Sequence, residues 1–333
     1  MNAAETLATG IDRALDRTIA PGYTKVGLAV RSRLAGWPAD PAPDCMRDKV
    51  ALVTGATSGL GLATAEGLAR LGAHVHLVVR DEAKGAEVCR QIAARVPGAS
   101  LQVDRCDVAD LEDVRRYVAE AAPAGVDVLI HNAGAMPPER TESPQGHELT
   151  MALHVLGPVL MTELLRPALA GRSARVILVT SGGMYAQRMR DDDPEYLLGE
   201  YSPTTAYARS KRAQVELLSV LDQRWVSDGV TVHATHPGWA DTPGVGESLP
   251  LFRKVTGPLL RSAEQGADTT VWLASVMPAP SGGRLWHDRR PRNTHLSNRT
   301  RTGRDQRERM WTWVRDQLDL PKKVARPKGK SAR

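Results

Sequence analysis

The sequence predicts a single-domain α/β fold, a doubly wound, mostly parallel sheet of about seven strands of the Rossmann type. Three observations predict it. Short β-rich apolar runs alternate with helical stretches, a glycine cluster follows the first run, and the other conspicuous short motifs fall at the carboxyl ends of later runs. Such alternation implies helical crossovers between parallel strands, with both faces of the sheet covered. Ligands of such sheets lie beyond the carboxyl ends of the strands.

Residues 49–54, Lys-Val-Ala-Leu-Val-Thr, form the first strand, and 60–71 carry the alanine content and apolar spacing of a helix. Gly55, Ser58, Gly59, Leu60 and Gly61 therefore occupy a strand-to-helix turn. Glycine there lets the backbone approach a pyrophosphate, and the helix N-terminus offers unpaired amides and a positive dipole end. The pattern continues with strands at 73–79, 101–106, 126–130, 175–180 and 230–235, and helices at 82–94, 111–121, 146–169 and 206–226. The chain of 333 residues divides into a helical leader (1–46), a Rossmann-type catalytic domain (47–290), a C-terminal extension (291–320) and a basic tail (321–333).

Tyr207 and Lys211 lie four residues apart on a helix and share one face. An ammonium beside a phenol favours the ionised form, which brings a group that titrates near ~10 towards neutral pH. Ser181 follows the strand 175–180 on the same rim of the sheet, where its hydroxyl can hold a substrate oxygen. By itself, a pair at this spacing is an ordinary feature of a helix surface. The surrounding motifs make it a candidate catalytic pair.

Thr54-Gly55 through Gly59-Leu60-Gly61, then Asn132-Ala133-Gly134, Ser181, Tyr207 to Lys211 and Pro237-Gly238 together resemble the short-chain dehydrogenase/reductase family in residue type and order, over about residues 48–288. The resemblance implies an NAD(P)-dependent oxidoreductase that interconverts an alcohol and a carbonyl. It assigns Tyr207 the proton transfer, Ser181 the polarisation of the carbonyl, and Lys211 the tuning of Tyr207 and a hold on the nicotinamide ribose. Asn132, Ala133 and Gly134 would face the cofactor, Pro237, Gly238 and Thr242 would border the nicotinamide, and Asp107 with Val108 would meet the adenine. A turn or helix cap is the other reading of Asp107. Where the family commonly carries an asparagine in the long helix, this chain has His154. Imidazole either preserves a proton relay in altered form or weakens it. Family members often assemble through their two long helices, which makes a homo-oligomer one expectation.

The second strand ends Val78-Val79-Arg80 and supplies no carboxylate for ribose hydroxyls, whereas the planar fork of Arg80 suits a 2′-phosphate. NADP(H) is therefore the preferred cofactor. NAD(H) stays open, because Asp81 becomes a ribose partner if the strand ends one residue later. The segments between Ser181 and Tyr207 (Met184, Tyr185, Leu197, Leu198) and from 239 to 260 (Val245, Leu249, Leu251, Phe252) read either as lids over an apolar small-molecule alcohol or carbonyl, or as loops packed on the body. The acidic run 191–193 reads as a solvated loop.

Cys45, Cys89 and Cys106 show neither metal-ligand spacing nor an even set to pair, which points to a reducing, cytoplasmic setting and to no metal site. No run of about 18 apolar residues suggests a transmembrane helix. In the leader, Ile11, Ala14, Leu15, Ile19, Val26, Val30 and Leu34 alternate with Arg13, Arg17, Lys25, Arg31 and Arg33. That pattern fits a helix packed on its own protein or, less commonly, a basic segment on a membrane surface. From Arg284 to Arg333 sixteen Lys or Arg face five Asp or Glu, but no aromatic or fold-like feature marks a nucleic-acid site, and none is expected. Met310-Trp-Thr-Trp-Val314 reads as the packing face of a terminal helix.

Overall fold

The computed structural model describes residues 3–241, 254 and 256–322. Strands β1 (Val50–Thr54), β2 (His74–Val79), β3 (Ser100–Arg105), β4 (Val128–His131), β5 (Arg175–Val179), β6 (Thr231–Thr235), β7 (Arg284–His287) and β8 (Arg290–Arg292) form one sheet in the order 3-2-1-4-5-6-7-8. All neighbours are parallel except β7 and β8. Chain order reverses at β1, whose two neighbours are β2 and β4. The crevice between the β1 and β4 ends is thus the topological switch point where such sheets bind ligands.

Crossover helices α4 (Gly59–Arg70), α5 (Glu82–Arg95) and α9 (Ala263–Ser275) cover one face. The other face carries α6 (Leu111–Glu120), α7 (Leu149–Leu169), α8 (Pro203–Trp225) and the terminal α10 (Arg304–Gln317). Successive strand residues serve opposite faces. Leu52, Val176 and Leu178 join the core with Tyr117, Leu160 and Leu217, while Ala51, Val53, Ile177 and Val179 pack with Leu68, Ile92 and Leu273. Strands buried on both sides read as continuous apolar runs, which is why 50–54 and 175–179 were recognisable.

The sheet has eight strands where the sequence pattern suggests about seven. Neither β7 nor β8 is among the six strands placed from the sequence, and β8 is a three-residue antiparallel edge with Pro291 at its centre, too short and too polar to show periodicity. α7 spans 21 residues at a mean hydropathy of 1.2, enough by length and composition to cross a membrane, and it is 72% buried as a core helix of this domain. The apolar run is interrupted in sequence but long enough as a helix.

The leader comprises α1 (Ala3–Arg17), α2 (Ile19–Tyr23) and α3 (Lys25–Arg31), and it packs on the body. Its anchors are not the apolar stripe, since Val26 and Val30 stay exposed, but Tyr23, Thr24, Asp12 and Arg31, all buried. The Arg31 guanidinium donates to Asp12 (2.8 Å), to the Gly22 carbonyl (2.6 Å) and to Asp288 (2.7 Å).

The acidic run 191–193 is not a solvated loop. Asp193 is buried and accepts from the Leu197 and Leu198 amides, and Asp191 pairs with Arg309 of α10 at 2.7 Å. In α10, Met310 and Val314 are buried against the core, as their spacing suggests. Residues 323–333, most of the basic tail, lie outside the described residues.

Candidate active site

The ends of β1 and β4 are stitched together by side chains. Thr54 Oγ1, fully buried, accepts from the amides of Asn132 and Ala133 (3.0 Å each) and donates to the Ile130 carbonyl. Asn132 Nδ2 donates to the carbonyls of Thr54 (3.0 Å) and Gly55 (3.2 Å). Asn132 thus holds the glycine turn from the neighbouring strand. In that turn Gly55 (φ +66°) and Gly59 (φ +52°) adopt the left-handed region that favours glycine. A Cβ on Gly55 would stand 2.7 Å from Ala133 Cα, and one on Gly61 2.2 Å from the Gly55 carbonyl oxygen. Side chains are excluded there, and the α4 N-terminus opens behind Ser58, whose hydroxyl makes no capping bond. Leu60 packs outward onto Gly266 of α9. A backbone cradle of this kind fits the pyrophosphate of a dinucleotide.

On the rim, β2 ends at Val79 and leaves Arg80 exposed. Asp81 caps α5, accepting from the Lys84 amide at 3.0 Å. Asp107 accepts from the Ala109 amide at 3.0 Å in the turn before α6, while its own amide donates to Asp113. The cap of α6 is Asp110, so Asp107 shapes a turn at the β3 end. Val108 is buried, with its carbonyl against Gly157 of α7, where a Cβ would not fit. Only a glycine lets α7 come this near.

Ser181 follows β5 and starts a short 3-10 turn in which its Oγ accepts from the Gly183 amide at 3.2 Å. Tyr207 lies in the first turns of α8, half-buried. Burial raises its hydroxyl above the ordinary tyrosine value, and a side-chain hydrogen bond from Ser181 pulls in the opposite direction. Lys211, one turn on, is buried with Nζ donating to the Val179 carbonyl (2.8 Å), 5.7 Å from the centre of the Tyr207 ring.

This corrects one expectation from spacing. Lys211 is not a fully charged neighbour that alone acidifies the phenol, because burial pushes its own ammonium down to about 7. A neighbour whose charge is itself disfavoured has less to give, and the influence that opposes burial at Tyr207 comes from the Ser181 hydroxyl. The shift also has a consequence for folding. Between about 7 and 10.5 the unfolded chain holds a proton at this lysine that the folded chain has released, so stability rises with pH across that window. Wild type is expected to gain stability relative to Lys211→Met as pH rises through it, read from denaturant melts at several pH values. Parallel pH curves for the two proteins would refute the assignment.

His154 sits in a π-helical turn (Ala152–Leu156) within α7, where bulged backbone often marks functional sites. Its ring meets Tyr207 edge to face at 5.3 Å. Nε2 accepts from the Ala135 amide (3.3 Å), which assigns the ring proton to Nδ1, 2.8 Å from Ser210 Oγ. Burial and the Lys211 charge hold the imidazole well below its ordinary pKa, so it is neutral. Both ring nitrogens are committed to tying the loop after β4 to α8, with Gly134 packed against the ring. The His154 carbonyl in turn accepts from Gln214 Nε2 at 2.7 Å.

Beyond β6, Pro237 and Gly238 border the same crevice. Gly238 has φ +78°, and its amide donates to His236 Nδ1 at 3.1 Å. Thr242, Val245, Leu249, Leu251 and Phe252 lie outside the described residues. Met184 and Tyr185 are core side chains, while Leu197 and Leu198 are exposed, so the segment after Ser181 both packs on the body and presents apolar surface. Among the described residues no cluster of His, Cys, Asp or Glu could hold a metal ion.

Sequence reasoning missed Thr54, Gln214 and Arg261. Thr54 ends a strand that was recognised, but its role is visible only with β4 beside it. Gln214 is seven residues past Tyr207, two helical turns, and could have been placed on the same face.

The comparisons agree with this geometry. Residues 49–250 match the family model described as short chain dehydrogenase. Human dehydrogenase/reductase SDR family member 12 is 37% identical over 276 residues, covering 81% of this chain and 86% of that protein. Human polyprenol dehydrogenase is 30% identical over 300 residues, covering 86% and 91%. The L-sorbose reductase of Gluconobacter frateurii, solved with NADPH and L-sorbose, superposes with a TM-score of 0.59 at 25% identity, covering 74% of this chain and 96% of that one. With the glycine cradle at the β1 end, the Tyr207–Lys211 pair on α8 and these matches, the chain belongs to the short-chain dehydrogenase/reductase family and is an oxidoreductase that uses a nicotinamide cofactor.

Proposed function

We propose that the protein is an NADP(H)-dependent oxidoreductase that interconverts an alcohol and a carbonyl on an apolar substrate. The observation that carries this reading is the placing of Tyr207 beside the buried Lys211, whose Nζ donates to the Val179 carbonyl, with Ser181 following the same strand, on the rim that also holds the glycine cradle. When bound, the nicotinamide supplies or accepts the hydride. Tyr207 gives a proton to the substrate oxygen in reduction and takes it back in oxidation. Ser181 donates a hydrogen bond to the same oxygen and stabilises charge that develops there. Lys211 holds the floor of the site and the ribose, and Asn132 and Gly134 shape the cofactor side. Pro237 and Gly238 would border the nicotinamide, and Asp107 would lie on the adenine side. His154 positions the loop after β4.

The phosphorylated cofactor is favoured because β2 ends at Val79, Asp81 is engaged as a helix cap, and the exposed Arg80 offers its guanidinium at the ribose end. A charge-assisted bond to a phosphate contributes about 1.5–3 kcal/mol. Arg80→Ala is therefore expected to lower the ratio of kcat/KM for NADPH over NADH by roughly ten- to a hundredfold, and an unchanged ratio removes Arg80 from the site. The apolar substrate class is supported by exposed Leu197 and Leu198 in the segment between Ser181 and Tyr207 and by the activity that the name polyprenol dehydrogenase gives that relative.

The test is turnover of a panel of prenols, retinoids, steroids and sugar alcohols, with their aldehydes and ketones, on NADPH and NADH. Conversion confined to apolar compounds is the expected result. Conversion only of sugars overturns the substrate class, and nucleotide binding without any turnover leaves a binding protein on the same fold.

A further inference from the structure

The loop that follows β6 is held less by the sheet than by the leader. The Trp239 amide donates to the Tyr23 carbonyl (2.7 Å), the Arg261 amide to the Trp239 carbonyl (2.8 Å), and the Asp241 amide to the Arg261 carbonyl (2.9 Å). Residues 239–241 are thus pinned between Tyr23 and Arg261, with Ala240 bridged to Arg261. The Arg261 side chain is buried and sits at the centre of the assembly. Its guanidinium grips both oxygens of Asp288 (2.6 and 2.9 Å) and donates to the Thr24 carbonyl (3.2 Å) and, more weakly, to the Pro237 carbonyl (3.4 Å). Gly238 lies directly on it: a Cβ there would stand 2.6 Å from Arg261 Cζ and 2.7 Å from the Tyr23 carbonyl oxygen. Asp288 is shared with Arg31, so one carboxylate joins the loop, the end of β7 and the leader. Tyr23 fills the remaining space, its ring edge to face with His236 (4.5 Å) and His287 (5.1 Å).

We propose that Arg261 is a positioning residue for the nicotinamide half of the cofactor, and that the leader is its support. The inference rests on the nicotinamide-nucleotide reading above and deepens it. A planar fork is needed because three acceptors in different directions must be held at once, and an ammonium on a flexible stem cannot replace it. Within the crevice the clamp meets only the loop at Pro237 and Gly238, while the adenosine half would be held at the far side by the β1 turn and the β2 end. Loss of the clamp therefore weakens one half of the ligand and spares the other, which a general loss of stability does not do.

The experiment compares two probes, NADPH and 2′,5′-ADP, by calorimetric titration of wild type and Arg261→Lys. If wild type selects NADH instead, NADH and 5′-ADP form the pair. The expected result is roughly a tenfold rise in the dissociation constant for the dinucleotide, with the adenosine probe changed by no more than about twofold. Equal losses for both probes, or none, overturn the proposal. Wild type that binds neither probe sinks the parent reading as well, and is seen before any variant is made. Should Arg261→Lys fail to fold, amide exchange on wild type decides. Before nucleotide is added, the Trp239 and Asp241 amides are expected to exchange as slowly as those of β6, and exchange at the rate of an open loop overturns the clamp.

Discussion

Tyr207→Phe is expected to lower kcat by about a thousandfold while leaving the cofactor dissociation constant within about twofold of wild type, general acid–base catalysis being worth some 10²–10⁴ in rate. The substitution removes one oxygen and keeps the ring. Its edge-to-face contact with His154 and its place beside Lys211 survive, so the crevice keeps its shape. What is lost is the phenol beside Lys211, and with it the proton that must reach the substrate oxygen. Ser181 and the bound nucleotide remain, which leaves residual turnover above the uncatalysed rate. Steady-state kinetics with a responsive aldehyde, together with fluorescence titration of the cofactor, read both quantities. A kcat within tenfold of wild type removes Tyr207 from the proton transfer, and a parallel loss of cofactor affinity assigns it to binding instead.

The second large effect concerns stability. Asp288→Asn is expected to cost roughly 3–5 kcal/mol of unfolding free energy, the range for removing one partner of a buried ion pair. Asp288 is 1% exposed and stands between Arg31 and Arg261, themselves buried. Asparagine preserves shape and tolerates the left-handed backbone found there (φ +51°), so the loss reports charge rather than strain. Two guanidinium groups would be left with one neutral acceptor between them. The carboxyl of Asp288 is held far below the usual carboxylate range despite its burial, by His287 and by the two arginines. A depressed carboxylate contributes stability that is present above its unfolded pKa, 3.8, and is lost only as pH falls below that value towards the folded one. The gap between wild type and variant is therefore expected to stay constant from neutral pH to about 4 and to narrow in stronger acid. Urea melts check both statements, and a neutral-pH difference under about 1 kcal/mol defeats the assignment.

The parts of this molecule that were legible in its sequence are those in which the relevant partners are close along the chain. The β1 strand, the glycine turn and α4 are contiguous, and Tyr207 and Lys211 share one helix face. The charge cluster behind the nicotinamide-side loop was not legible, because Arg31 and Asp288 are 257 residues apart. The leader was recognised as helical, but from an apolar stripe whose Val26 and Val30 remain in solvent, while its buried anchors are polar. Asp191 was taken for a solvated charge because its partner Arg309 is contributed by a helix more than a hundred residues later. The lysine shift was hidden for another reason. Spacing shows which groups are neighbours, whereas the sign and size of a shift depend on how much water surrounds them.

The last strand, β8, has a bearing on how copies of this protein can meet. An unfinished sheet border normally offers a row of backbone donors and acceptors to any passing chain. Here the outermost residues are Arg290, Pro291 and Arg292, and the central one has no amide hydrogen to give. The two arginines that flank it are turned to the leader, Arg292 to Asp12 at 2.8 Å and Arg290 to the Gly36 carbonyl at 3.0 Å, so a second molecule brought alongside in the same way meets an incomplete ladder. That margin is a poor template for edge-to-edge growth.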